Sequence, residues 1–279
     1  MIYNFGKVKY DLRSRTFIMG VLNITPDSFS DGGKYFDGKV RLEEVIKDGL
    51  QMEKDGADFI DVGGESTRPG SEMITTDEEL ERVIPVISRL TKKINIPISI
   101  DTYKHEVAEE ALKAGAVIVN DISGFRFDIE NAEVTAEHEA SCILMHIKGT
   151  PKNMQQNPVY DNVTEEVFNY LKESIDIAGS FGIKQIITDV GIGFGKTLEH
   201  NIELLRNLNK FQELNHPVLL GVSRKSFLDK IFPSKPEDRI EGTIAANVIG
   251  ITKGANILRV HDVKQNKKAA RVADKILQN

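Results

Sequence analysis

Eight short apolar segments of this sequence each end in side chains that can form hydrogen bonds or carry charge. The first segment, Phe17 to Leu22, stops at Asn23 and opens into a polar, glycine-ended loop. A single asparagine or aspartate at such a point is often only a helix cap or a turn residue. A full set at matching positions instead predicts one shared site built from many segment ends. In chain order the terminal residues are Asn23, Asp61, Asp101, Asn120 with Asp121, His146, Asp189, the run Ser223–Ser226, and Arg259 with His261.

Three of these residues, Asp101, Asn120 and Asp189, carry a carboxylate or an amide. A carboxylate pairs well with two adjacent N–H groups, and an amide offers both a donor and an acceptor. A flat, donor-rich heterocycle presents such groups, as on the 2-amino and N3–H edge of a pterin. The set therefore predicts a pocket for a pterin-like ring.

Four further residues supply positive charge or hydrogen-bond donors: Arg68, Lys225, Arg259 and His261. Arginine binds phosphate oxygens as a fork, and lysine binds them as a point charge. These residues therefore suit a pyrophosphate group. For Arg68 and Lys225, each judged alone, the alternative is a solvated surface charge.

The segments that carry these residues alternate with stretches of helical periodicity. Leu80, Val83, Ile84 and Ile87, for example, follow the i, i+3, i+4, i+7 spacing of a helix face. Eight strand–helix alternations predict an α/β fold of the (β/α)₈ TIM-barrel type, with its chemistry at the carboxyl ends of the strands. An open doubly wound sheet is the alternative, but the first turn lacks a G-x-G-x-x-G sequence. The predicted strands are Phe17–Ile24, Asp58–Val62, Ile96–Ile100, Val117–Asp121, Cys142–His146, Gln185–Asp189, Val218–Val222 and Ile257–His261.

The ends of the barrel also have sequence signals. Residues Ile2 to Leu12 predict a β-hairpin that turns at Gly6-Lys7 and plugs the bottom of the barrel. Ser226 is predicted to open the helix after the seventh strand, and the free N–H groups of a helix start favour an anion. No linker or low-complexity tract divides the sequence, so residues 1–279 are predicted to form a single domain.

Composition limits the classes of partner and location. The chain has 279 residues and a formal net charge of −6, whereas a general nucleic-acid-binding protein usually carries a basic excess. Its one cysteine, Cys142, lies in an apolar run and is expected in the core, which fits a reducing cytosol. The N-terminus lacks a signal-peptide pattern, and no apolar run approaches the length of a membrane span. We therefore expect a cytoplasmic protein with small-molecule substrates and no nucleic-acid or membrane partner.

Two other patterns are rejected as sites. Gly195-Lys196-Thr197 is similar to the end of a phosphate-binding P-loop, but Val190 stands where that motif needs its first glycine. The histidines and aspartates lack the H-E-x-x-H or cysteine–histidine pairing of a zinc site.

Seven longer blocks lie at the ends of the predicted strands: M-G-V-L-N-I-T-P-D-S-F-S-D-G-G, D-V-G-G-E-S-T-R-P-G, S-I-D-T-Y-K, V-N-D-I-S-G, G-I-G-F-G-K, G-V-S-R-K-S-F and R-V-H-D. Together they resemble the dihydropteroate synthase family over essentially the whole chain. The first two blocks and G-V-S-R-K-S are the most specific. Val190 departs from the family's usual proline, and we expect little functional change because valine also prefers an extended backbone. The stretch His146–Thr150 differs slightly from the family's M-H-M-x-G-T-P, at a position to which we assign no chemistry.

The resemblance implies a folate-pathway transferase with a TIM-barrel fold. Such enzymes use Mg²⁺, form homodimers and are the target of sulfonamides, and the resemblance implies the same for this protein. Such an enzyme condenses 6-hydroxymethyl-7,8-dihydropterin pyrophosphate with p-aminobenzoate, giving 7,8-dihydropteroate and pyrophosphate. Because the dihydropterin ring can delocalise positive charge, we expect an SN1-like path through a carbocation.

The same resemblance assigns residues to the pterin pyrophosphate. The pterin would be held by Asp101, Asn120, Asp189 and Lys225, with Arg259 stacked on it. The pyrophosphate would be bound by Asn23, Arg68, Arg259 and His261. The metal ligand on the pyrophosphate would be Asn23.

The remaining assignments concern the second substrate and the reacting centre. The p-aminobenzoate site would be formed by Thr67, Pro69, Phe194, Lys225 and Ser226. The catalytic residues would be Asp31, Lys225 and Arg68, with Asp31 stabilising the reacting centre. The loops at 25–37 and 63–75 are long for barrel turns, and we expect them to close as lids that exclude water.

Two alternative functions remain open. A methyltetrahydrofolate–corrinoid methyltransferase would share the Asp101, Asn120 and Asp189 set but has no use for the anion-binding residues. A catalytically inactive pterin-binding paralogue would act as a binding module. It should have lost at least one of five residues that are all present: Asn23, Arg68, Lys225, Arg259 and His261.

Overall fold

The computed structural model describes residues 1–26, 35–36 and 38–277, and its first element is a two-stranded antiparallel sheet. Strands β1 (Ile2–Phe5) and β2 (Val8–Asp11) pair in register from Ile2↔Asp11 to Phe5↔Val8. Gly6 and Lys7 form the turn between them. The predicted N-terminal hairpin is therefore confirmed.

Eight parallel strands form a closed barrel. They are β3 (Phe17–Asn23), β4 (Phe59–Gly63), β5 (Ile98–Asp101), β6 (Ile118–Asp121), β7 (Ser141–Met145), β8 (Ile186–Asp189), β9 (Val218–Leu220) and β10 (Ala255–Val260). Each strand pairs with the next, and β10 pairs with β3 to close the barrel. Each predicted strand agrees with an observed one to within two residues at either end. The predicted (β/α)₈ architecture is confirmed.

Helices pack around the strands as the hydrophobic periodicity predicts. They are α1 (Leu42–Lys54), α2 (Thr76–Leu90), α3 (His105–Lys113), α4 (Glu130–Glu137), α5 (Val163–Ser180), α6 (Leu198–Arg206), α7 (Ser226–Ile231), α8 (Ile240–Thr252) and α9 (Val263–Leu277), with short 3₁₀ helices at Leu208–Leu214 and Pro236–Asp238. Local sequence sets several starts. Thr75 and Glu78 form a reciprocal capping box at α2, and the Asn162 side chain accepts from the first turn of α5.

An apolar cluster closes one end of the barrel. Phe17 and Phe59 begin their strands and pack with Tyr3 and Phe5 of the hairpin. The rings of Phe5 and Phe59 meet edge to face with centroids 5.0 Å apart, which is a favourable aromatic geometry. Because these strand residues lie at amino ends, the hairpin fills that end of the barrel. The opposite, carboxyl end is left for chemistry.

Two expectations from composition can be compared with the structure. Cys142 has no exposed surface and lies in β7, as predicted for a core residue. Among the described residues, no helix combines the length and the apolar character that a bilayer span requires.

Candidate active site

A cavity of about 730 Å³ lies at the carboxyl end of the barrel. Its volume falls in the usual range for small-ligand pockets, about 300–1,000 Å³. Strand ends and the loops that follow them supply its lining. The predicted site residues that line it are Asn23, Thr67, Arg68, Pro69, Asp101, Phe194, Lys225, Ser226, Arg259 and His261.

Arg259 joins two carboxylates at the base of this cavity. Its Nε donates to Asp61 Oδ2 at 2.7 Å, and its Nη2 donates to Asp101 Oδ2 at 2.6 Å. Asp61 has no exposed surface and Asp101 has little. A guanidinium paired twice in this way is held in one orientation. Arg259 therefore lies against the predicted pterin ligand Asp101.

Burial and charge set the ionisation of Asp101. Burial raises the pKa of its carboxyl to about 7, and the nearby Asp61 adds to the rise, although Arg259 opposes it. Asp101 Oδ1 has no hydrogen-bond partner among the described residues. One oxygen of this carboxylate is therefore left for a ligand with an N–H group.

Asn120 and Asp189 lie beneath the cavity, and neither is among its lining residues. Both are buried at strand ends. Asn120 Nδ2 donates to Asp61 Oδ2 at 3.1 Å, and Asp189 Oδ1 accepts from the Gly191 N–H at 2.8 Å. Burial raises the pKa of Asp189, while Lys225 opposes the rise. The predicted pterin set thus converges on one end of the barrel.

Lys225 contacts both halves of the predicted site. Its Nζ donates to the Ile192 carbonyl at 2.5 Å and lies 4.7 Å from the centre of the Phe194 ring. Burial lowers the pKa of Lys225 to about 8, although Asp189 opposes the change. A partly desolvated ammonium between a carboxylate and an aromatic ring can bind the polar edge of one ligand and the face of another.

The turn after β8 carries Phe194 and is fixed by side chains from several elements. Gln155 donates to the Gly193 carbonyl at 2.7 Å, and Tyr160 donates to the Gly195 carbonyl at 2.7 Å. At Gly191, with φ +66°, a Cβ would lie 1.9 Å from the His146 carbonyl oxygen. Only glycine fits there, because the backbone approaches so closely. The turn therefore presents Phe194 from a rigid base.

Lys196 and His146 form a buried polar pair behind this turn. Lys196 Nζ lies 2.8 Å from His146 Nδ1 and donates to the Phe194 carbonyl at 2.9 Å. Burial lowers the pKa of both side chains well below their ordinary values. Nearby cations, among them Lys148, lower both pKa values further. The G-K-T sequence is no phosphate loop, since its lysine hydrogen-bonds within the turn.

The turn after β9 is held by an ion pair. Arg224 has φ +57°, and its guanidinium binds Asp262 through Nε at 2.9 Å and Nη2 at 2.6 Å. This turn places Lys225 just before α7, which begins at Ser226 as predicted. α7 has only six residues, so its dipole adds little to anion binding.

His261 is a neutral group in this site. Burial and the nearby Arg259 and Arg224 lower its pKa to about 3. Its Nδ1 lies 3.0 Å from Ser223 Oγ. His261 can therefore give a hydrogen bond to an anion but supplies no positive charge at neutral pH.

The second loop, at 63–75, lines part of the cavity through residues 65–69. In the second loop, Gly70 N–H donates to the Pro151 carbonyl at 2.9 Å, which joins this loop to the segment after β7. The first loop lies largely outside the described residues. The proposed role of Asp31 falls there and remains a prediction, as does lid closure at 25–37. Near the end of that loop, the guanidinium carbon of Arg82 lies 4.8 Å from the centre of the Phe36 ring.

Asn23 ends β3 and faces the cavity. Its Oδ1 lies 3.7 Å from the point where a Cβ on Gly63 would be, so the glycine leaves space beside this oxygen. Mg²⁺ prefers oxygen ligands and keeps several waters when a substrate phosphate is present. The side-chain oxygen of Asn23 therefore fits a magnesium ion whose other ligands come from water and a substrate phosphate.

Comparisons with known proteins identify the family. Residues 19–261 match the family model described as "Pterin binding enzyme". The chain is 48% identical over 275 residues to dihydropteroate synthase of Clostridium beijerinckii, covering 98% of each chain. It belongs to the dihydropteroate synthase family. The Bacillus subtilis dihydropteroate synthase is 47% identical over 95% of this chain and 90% of its own.

Solved dihydropteroate synthases share this fold. A crystal structure of the Yersinia pestis enzyme in a sulfonamide drug complex superposes with a TM-score of 0.95, at 37% identity over the whole of both chains. The Xanthomonas albilineans enzyme in complex with 7,8-dihydropteroate gives a TM-score of 0.87 at 35% identity, again over both whole chains. Val190, the departure from the family's usual proline, is fully buried here.

Sequence reasoning missed three residues of this dihydropteroate synthase site. Asp61 stands at a strand end like the assigned residues but received no role, although it binds both Arg259 and Asn120. Its position at a strand end, shared with the assigned residues, was the sequence signal that could have identified Asp61 as part of the site. Lys196 and His146 were set aside, and only the folded chain brings them together.

Proposed function

We propose that this protein is a dihydropteroate synthase. It transfers the dihydropterin-methyl group from 6-hydroxymethyl-7,8-dihydropterin pyrophosphate to the amine of p-aminobenzoate, releasing pyrophosphate. The observation that carries the proposal is that one cavity contains both predicted half-sites. Asp101 and Arg259, proposed for the pterin, line the same cavity as Thr67 and Phe194, proposed for p-aminobenzoate, and Lys225 is proposed for both.

A carboxylate that receives two adjacent pterin N–H groups uses both of its oxygens, so Arg259 would change partner when the pterin binds. Asp101 Oδ2 is now occupied by Arg259, whereas Oδ1 has no partner among the described residues. When the pterin N–H groups bind Asp101, Arg259 keeps its bond to Asp61 and turns its plane onto the ring face. Asn120 and Asp189 complete the ring contacts from the strand ends.

The departing pyrophosphate is stabilised mainly by fixed charge. Arg68 and Arg259 supply cations, and neutral His261 adds a hydrogen bond. Such preorganised groups act where negative charge develops on the leaving group. Asn23 would hold Mg²⁺, which would neutralise pyrophosphate charge when bound.

The nucleophile needs positioning and no strong base. An aryl amine is unprotonated at neutral pH, so the chain must only place its nitrogen beside the pterin carbon. Phe194, Thr67 and Pro69 would hold the aromatic ring, and Ser226 would bind its carboxylate. The cation formed on the pterin would be stabilised by Asp31. Sulfonamides would compete for this same half-site.

A second copy of the chain is the proposed macromolecular partner. Ala245 and Ile249 lie one turn apart on the outer face of α8, and Ile249 is 52% exposed. Two copies of such an apolar face suit a two-fold interface. We also propose a cytoplasmic location, since the buried Cys142 needs no oxidising compartment.

One assay separates the proposed function from its alternatives. Pyrophosphate release from the pterin pyrophosphate is measured with and without p-aminobenzoate and Mg²⁺. Release that depends on both supports the synthase. Tight pterin binding without release would favour the inactive binding module, and methyl transfer from methyltetrahydrofolate to a corrinoid would favour the methyltransferase.

A further inference from the structure

Both ends of the second loop converge on Lys104, at the start of α3. Lys104 Nζ donates to Glu65 Oε2 at 2.6 Å, near the beginning of the loop. It also donates to the Ile74 carbonyl at 2.8 Å, near the end of the loop. Its third bond goes to Glu79 Oε2 of α2, at 2.7 Å. An ammonium group has three donors, so this one is fully used.

The pairing is buried on every side. The exposed side-chain fraction is 11% for Lys104, 4% for Glu65 and 1% for Glu79. The other oxygen of Glu65 accepts from the Tyr103 hydroxyl at 2.7 Å. The second oxygen of Glu79 has no hydrogen-bond partner among the described residues. A buried ion pair fixes geometry more than it adds stability. These contacts therefore define where the loop leaves and rejoins the barrel.

The start of the loop is also seated on α2. A Cβ at Gly64 would lie 2.7 Å from Val83, so the backbone packs directly on that helix. Arg82 donates to the Gly64 carbonyl at 2.8 Å. Only residues 66–73 lie between the two anchored ends. This span carries Thr67, Arg68 and Pro69 into the cavity.

We propose that Lys104 is a positioning residue for p-aminobenzoate binding: by joining Glu65 to Ile74, it sets the placement of Thr67 and Pro69 in the cavity that Phe194 also lines. Lys104 is not among the residues that line the cavity, so it acts through the loop. The pterin half-site has separate supports, because Asp101 is fixed by strand pairing with Gly63 and Asn120. The kinetic part of this inference rests on the proposed function.

The test compares Lys104→Met with Lys113→Met, a matched change on the exposed face of α3. Lys113 pairs only with Glu109 and Glu110 of its own helix in the described structure. In Lys104→Met the KM for p-aminobenzoate rises about tenfold or more, because small displacements of a binding group strongly weaken productive geometry. The Kd for a pterin without the pyrophosphate stays within about twofold, because Arg68, carried by the same loop, is proposed for the pyrophosphate and not for the pterin ring. Lys104→Arg, which keeps the charge, recovers part of the loss.

Amide hydrogen exchange on the ligand-free protein gives an independent readout. Exchange at residues 64–75 becomes faster in Lys104→Met and stays unchanged in Lys113→Met. If Lys104→Met does not fold, Tyr103→Phe removes one partner of Glu65 and gives the same changes at smaller size. Unchanged exchange at 64–75 together with an unchanged KM for p-aminobenzoate overturns the proposal, and so does an equal rise in the KM for p-aminobenzoate and in the Kd for the pterin. Faster local exchange in a protein without synthase activity would refute the proposed function but keep Lys104 as the anchor of this loop.

Discussion

Arg259 and Asp61 form an ion pair beneath the cavity, with Nε and Oδ2 2.7 Å apart. The same Asp61 oxygen accepts from Asn120 at 3.1 Å. One buried carboxylate thus orients a residue proposed for the pyrophosphate and a residue proposed for the pterin. Because Asp61 does not line the cavity, its role is to hold those two side chains.

Replacing Asp61 by asparagine tests this relationship. Asp61→Asn removes the charge that keeps Arg259 in place, so kcat/KM for the pterin pyrophosphate should fall about 100-fold. Asp58→Asn is the matched control, since Asp58 lies just before the same strand and binds Arg15 and Lys267. That change should reduce the free energy of unfolding by about 3 kcal/mol and leave both KM values unchanged. Equal kinetic loss in the two variants would contradict the prediction.

Lys225 and Asp189 should be required for turnover but not for folding. Lys225→Ala removes the ammonium between the two half-sites, and Asp189→Ala removes a carboxylate proposed for the pterin. Each variant should lose turnover while keeping the circular dichroism spectrum and a cooperative melt. Lys253→Ala, in the half-buried C-terminal cap of α8 and outside the cavity, serves as the control for loss of a lysine. Near-normal activity in both site variants would refute the site assignment.

The pH dependence of kcat/KM should be bell-shaped. Asp101, whose pKa is raised to about 7, must be ionised to accept pterin N–H groups, so activity falls as the pH drops through 7. Lys225, whose pKa is lowered to about 8, must be protonated, so activity falls as the pH rises through 8. His261, with a pKa near 3, adds no limb at neutral pH. In Asp101→Asn the acid limb should disappear, and a limb that persists unchanged would assign it to another group.

The strand ends could be predicted because their signal is local. An apolar run, a terminal polar residue and a following helical stretch are each readable within a few residues. The same regularity set the barrel order, since consecutive strands pair around it. The sequence therefore predicts that Asn23, Asp101 and Arg259 lie at one end of the fold, where all three line the cavity.

The supporting contacts could not be predicted because they join distant segments. Lys104 and Glu65 are 39 residues apart, and Lys196 and His146 are 50 apart. No periodicity encodes such pairs. The ionisation of His261 also cannot be predicted from the sequence, because it depends on burial in the folded barrel and on Arg224 in the turn after β9 as well as on Arg259.

The outer face of α8 should control the oligomeric state. Ile249 is 52% exposed and lies next to Ala245 on that face, so a charge there would be buried in the proposed dimer. Ile249→Glu should give a monomer by analytical ultracentrifugation at concentrations where the parent protein is a dimer, because an unpaired buried charge strongly opposes association. Ile2→Glu is the control, since Ile2 is 61% exposed and belongs to the N-terminal hairpin. A dimer that withstands Ile249→Glu but not Ile2→Glu would move the interface to the hairpin.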